Sequence, residues 1–65
     1  MSKYKITVNT DGLGYKIILW KKFIFFYLPD TFTRIYDFDY AEKARHIKTW
    51  QREFNIPDSA IIIKK

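Results

Sequence analysis

Residues 15–28 read YKIILWKKFIFFYL, and their reading decides the fold. The stretch is rich in Ile and aromatic residues, which favour strand over helix. At about 3.3 Å per residue its 14 residues would extend roughly 46 Å, too long for one straight strand in so short a chain. A bend, bulge or tight turn near Lys21-Lys22 is therefore expected. Large apolar groups stand on both faces at either parity: Ile17, Leu19, Phe23, Phe25 and Tyr27 oppose Ile18, Trp20, Ile24, Phe26 and Leu28. A single helix covers one face of such a sheet and leaves the other to solvent or to a partner.

Outward from this stretch, residues 3–9 alternate, with Tyr4, Ile6 and Val8 on one side and Lys3, Lys5, Thr7 and Asn9 on the other, as in a half-buried strand. Thr10-Asp11-Gly12-Leu13-Gly14 then reads as a hairpin turn. Its Gly-x-Gly lacks the third glycine and the following helix of a phosphate loop. Leu28-Pro29-Asp30-Thr31 is expected to turn, and residues 32–38 to form a further strand. Asp39 and Glu42 have the spacing of a helix N-cap and its N3 acid, so a helix is expected to run from there to about Phe54. Tyr40, Ala44, Ile47, Trp50 or Gln51, and Phe54 form its apolar stripe. Asn55 and Pro57 end it, and Ala60-Ile61-Ile62-Ile63 is a short strand. The expected fold is α+β, a small antiparallel sheet of three to four strands with one helix packed on one face, in ββ(β)αβ order. Its core is expected to hold Tyr4, Ile6, Val8, Ile17, Leu19, Ala44, Ile47, Phe54 and Ile62.

The 65 residues fit one domain, 1–65, with no repeats or linkers. There is no cysteine, which excludes disulfide and Cys-zinc scaffolds, and 20% aromatic residues oppose disorder. So small a chain must fill its core with bulky aromatics or gain burial from a partner, including a second copy of itself. Residues 1–6 lack the apolar run of a signal peptide, and residues 17–28, split by two lysines, cannot span a bilayer as a helix. No membrane association and a cytoplasmic location are expected.

Chemistry has little to stand on. His46 is the single histidine, and Ser2 and Ser59 are the only serines, so a Ser–His–acid relay is not expected, nor any other enzymatic site. Asp30, Asp37, Asp39 and Glu42 offer oxygens to Mg²⁺ or Ca²⁺, but Asp39 as a cap and Asp37 beside the positive helix end explain the pair without a metal. No cofactor is expected.

Binding is better supported. The net charge is +5, carried by 12 Lys and Arg against 7 Asp and Glu. Residues 1–28 carry +4, with Trp20, Lys21, Lys22, Phe23 and Phe26 interleaving rings and cations. On the helix, Arg45, Lys48 and Arg52 form a basic ridge, Arg45 within reach of Glu42, while Lys48 and Arg52 are like charges at i,i+4. These eight residues are the expected partner-binding set. The chain opening Tyr4-Lys5-Ile6, its Gly14-Tyr15-Lys16-Ile17 strand, the run Phe23-Ile24-Phe25-Phe26-Tyr27 and Tyr36-Asp37-Phe38-Asp39 before Ala41-Glu42-Lys43-Ala44 resemble the small accessory proteins of tailed bacteriophages. The resemblance implies a host-takeover or counter-defence role, a non-catalytic inhibitor that binds a host or defence protein in the host-cell cytoplasm. The alternative is a small basic protein that binds single-stranded nucleic acid on an aromatic sheet face, stacking bases on rings among Tyr4, Tyr15, Trp20, Phe23, Phe25, Phe26 and Tyr27 while Lys3, Lys5, Lys16, Lys21 and Lys22 hold phosphates, although no RNP-like signature is present.

Overall fold

The computed structural model describes residues 3–64. Three strands, β1 (Tyr4–Thr10), β2 (Gly14–Phe23) and β3 (Phe26–Tyr36), form an antiparallel meander. The helix α1 (Tyr40–Phe54) follows, then a 3₁₀ turn at Asp58–Ala60 and the strand β4 (Ile61–Lys64). Strand order is β3-β2-β1-β4. The fold is α+β as expected, but the sheet is mixed, because β4 runs parallel to β1. A helix leaving β3 at one edge crosses the sheet and delivers the chain beside β1 at the other edge, where it points the same way as β3.

The turn in residues 15–28 lies later than expected. Lys21 and Lys22 continue β2, and Ile24-Phe25 form a two-residue hairpin loop between Phe23 and Phe26. Residues 28–31, expected to turn, lie inside β3 instead. The register shifts there: Leu19 faces Thr31 and Trp20 faces Pro29, so Asp30 is extra, a bulge. Pro29 is tolerated because β3 is an edge strand and the bulge has already broken the ladder.

In the first turn, the Asp11 carboxylate accepts the amides of Leu13 (2.9 Å) and Gly14 (3.1 Å). Gly14 takes φ 149°, and a Cβ there would stand 2.0 Å from the carbonyl oxygen of Ile35. At the helix start, the Asp39 carboxylate accepts the Glu42 amide at 3.1 Å, and Asn55 in left-handed backbone closes the far end (φ 55°).

The helix packs over the face that carries Ile6 and Val8 of β1 and Ile17 and Leu19 of β2, all four with no exposed surface. Ile35, Ile47 and Ile56 complete the core. Every core side chain is aliphatic, so the aromatics do not fill it; Tyr4, Tyr15, Trp50 and Phe54 line its rim. Four of the expected core residues differ: Tyr4 and Phe54 are only partly buried at the rim, and Ile62 and Ala44 also lie outside the core. Ile62 is exposed, because the pairings of Ile61 with Ile6 and Ile62 with Thr7 turn Ile61 inward instead. Ala44 is only half-buried, while Lys43 is buried, its Nζ 4.4 Å from the Tyr15 ring centroid and 4.3 Å from that of Tyr40. A lysine stem covers apolar surface well when its charge finds ring faces at the edge.

Candidate functional site

The eight residues expected to bind a partner fall on three surfaces. Lys21, Phe23 and Phe26 belong to the end of the β2–β3 hairpin, on the helix side of the sheet but past the core. Trp20 and Lys22 have the opposite parity and stand on the open face. Arg45, Lys48 and Arg52 are exposed on the outside of α1.

The hairpin end is a finger. The amide of Lys22 donates to the carbonyl of Lys3 (2.7 Å) and ties the hairpin to the neighbouring strand; residues 23–26 extend beyond it, and Leu28, opposite Lys21, stands at the base. Five large apolar side chains are exposed there: Phe23, Ile24, Phe25, Phe26 and Leu28, with Phe25 92% exposed. Phe23 and Phe26 pack edge-to-face at 5.9 Å and stiffen the finger. Ile24 sits at φ 59°, a left-handed conformation that costs a β-branched residue about 1–3 kcal/mol and that hairpin turns normally give to Gly or Asn.

The finger shares its end of the molecule with the helix C-terminus. Phe54 packs on Tyr4 (4.8 Å between centroids), and Tyr4 pairs with Lys21 at the finger's base. Arg52, in the last turn of the helix, lies at the same end of the molecule, on the exposed side of the helix. Glu42 holds Arg45 in an ion pair and keeps its guanidinium strongly protonated. Neither Lys48 nor Arg52 has an ion-pair partner among the described residues.

The open face joins Trp20, Tyr27, Lys5 and Lys16, which the sequence offered for stacking and phosphate contact, to Thr7, Phe32, Arg34 and Tyr36, which sequence reasoning missed. Thr7 Oγ1 accepts the Trp20 Nε1–H at 2.8 Å, which ties the indole to β1. Lys5 Nζ lies 5.5 Å from the Trp20 centroid and 4.6 Å from that of Tyr27. Lys16 Nζ stands 5.0 Å over Phe32, and the Arg34 guanidinium 5.9 Å over Tyr36. Arg34 also forms a two-pronged ion pair with Asp11 (3.0 and 2.8 Å). That pair, with the amides of Leu13 and Gly14, lowers the Asp11 carboxyl to a pKa of about 2. The signal for this face was strand parity, hidden until the position of the second turn was known.

His46 packs edge-on to Trp50 (4.6 Å), its Nε2 buried and without a hydrogen-bond partner among the described residues. Among the same residues no three metal-ligating side chains gather, and no helix is long and apolar enough to cross a membrane. Comparison with family models, curated proteins and solved structures gives no match to this chain.

Proposed function

We propose that this is a non-catalytic binding protein whose hairpin finger inserts into an apolar socket on a protein partner, in the host-takeover or counter-defence manner that its resemblance to phage accessory proteins implies. The observation that carries this reading is Ile24-Phe25. Folding alone favours a polar, glycine-containing turn at that position, yet the chain keeps a strained Ile and an almost fully exposed Phe. Strain and exposed rings together suit a residue kept for recognition, and aromatic anchors dominate the energetics of protein interfaces. Lys21 and Lys22 put positive charge on both faces of the finger's base, and Arg52 adds to it at the same end of the molecule, which suits a socket with an acidic rim.

The test is affinity capture from a bacterial lysate with tagged wild type and with Phe25→Asp, both first shown to be folded by circular dichroism. Phe25 packs on nothing in the core, so the variant folds. A bacterial protein retained by wild type and lost with Phe25→Asp supports the reading. Equal capture by both, or capture by neither, overturns it.

A further inference from the structure

We infer that the open face of the sheet is a binding platform for single-stranded nucleic acid. The inference does not depend on the finger and concerns a different surface. Strand register sets the open-face residues in rows about 7 Å apart, two residues along each strand. One row crosses all four strands as Lys64, Asn9, Lys16 and Arg34. The next holds Ile62, Thr7, Ile18 and Phe32; then come Lys5, Trp20 and Pro29; and Lys22 faces Tyr27 beyond them. Cations and rings are thus interspersed across the face, and Trp20, Tyr27 and Phe32 each have a lysine over or beside the ring. A nucleotide strand needs this arrangement, a ring under each base and a cation at each phosphate.

The free-state contacts fit the same ligand. A lysine resting on a ring is a placeholder: an incoming base takes the ring face, and the displaced ammonium meets the phosphate. Phe32 and Tyr36 are 65% and 61% exposed, and the Trp20 indole is held in place by its hydrogen bond to Thr7. The only carboxylate ion-paired to a cation of this face, among the described residues, is Asp11 on Arg34. At the foot of the face, an open groove of about 770 Å³ is lined by Lys5, Tyr27 and Ile62 together with Asn55, Pro57 and Ser59, so the track continues past the start of β4. An acidic protein surface fits less well. Protein interfaces gather their apolar groups in a dry centre with charge at the rim, whereas here cations stand among the rings, Lys5 beside Trp20 and Lys22 beside Tyr27.

The experiment is fluorescence anisotropy with a labelled oligothymidylate and the same-length oligouridylate, against a duplex of the same length. Wild type is expected to bind single strands in preference to duplex, with quenching of Trp20 and a log–log salt slope that becomes shallower by about 0.7 on Lys16→Ala. Phe32→Leu keeps an apolar residue in the strand but removes the ring, and is expected to weaken binding about tenfold, with Phe32→Tyr restoring it. Phe25→Asp on the finger is expected to bind like wild type, which keeps failure of this inference distinct from failure of the protein-binding reading. Full affinity in Phe32→Leu, tighter binding to duplex, or equal competition by polyglutamate would overturn the inference.

Discussion

At the scale of single residues, the two glycines of the first turn make opposite predictions. Gly14 needs both its φ of 149° and the absence of a Cβ, which would otherwise strike the Ile35 carbonyl oxygen. Ile35 backbone belongs to β3 and cannot move without breaking its pairing to Tyr15. Gly14→Ala is expected to cost about 2–4 kcal/mol in denaturant melts. Gly12 has nothing within 4 Å of a built Cβ, and Gly12→Ala is expected to stay within about 0.5 kcal/mol of wild type. Asp11 in the same turn ties stability to pH. Its carboxyl is lowered, first by the Arg34 hydrogen bonds and then by the Leu13 amide, from 3.8 to about 2. The folded state therefore holds its proton less tightly than the unfolded chain. The contribution is fully present above pH 4 and is lost as pH falls from about 4 towards 2. Asp11→Asn keeps an oxygen for the two amides but no charge for Arg34. Its melting temperature should change less than that of wild type across that window, and parallel profiles would show that the pair adds nothing.

At the scale of elements, the helix and the second hairpin differ in how far they could be read in advance. Helix signals are local: Asp39 three residues before Glu42, an apolar stripe, then Asn55 and Pro57, and α1 begins and ends where they place it. Only half of the capping box forms, since the Glu42 side chain pairs with Arg45. Asp39→Ala is expected to cost about 1 kcal/mol, measured by thermal melts. The hairpin carries no such signals. Ile24-Phe25 contains neither Gly, Asn nor Asp, and the apparent turn residues Pro29 and Asp30 make a bulge instead. Misplacing that turn reassigns the face of every residue after it, which is why Tyr27, Phe32 and Tyr36 were not legible as one surface with Trp20. Parallel pairing of β4 was hidden for a related reason, because it depends on where a crossover lands and not on the strand's own residues. Ile24→Asn follows from the same observation. Asn accepts left-handed backbone, so the variant should gain about 1 kcal/mol in stability while losing the protein partner. A loss of stability would mean that Ile24 serves the fold.

At the scale of the whole molecule, the finger and the helix C-terminus share one end, and the row that holds Lys16 and Lys64 lies back along the strands, roughly 23 Å from Phe23 at about 3.3 Å per residue of β2. The net charge of +5 acts over the whole surface, so any reversal of charge slows encounter with an acidic partner to some degree. Two double variants isolate the local part. Lys48→Glu with Arg52→Glu, and Lys16→Glu with Lys64→Glu, each lower the net charge by four, from +5 to +1. A general field therefore predicts the same slowing for both. If Lys48 and Arg52 flank the socket that takes the finger, reversing them should slow association with the captured protein severalfold more than reversing the distant pair. The difference should fade as salt rises towards 1 M, where the screening length shrinks to about 3 Å. Dissociation should stay unchanged in both, since it is set by the buried rings, and Phe25→Asp should raise it. Equal association rates for the two double variants at low salt would leave the helix ridge as a solvated surface and confine recognition to the finger.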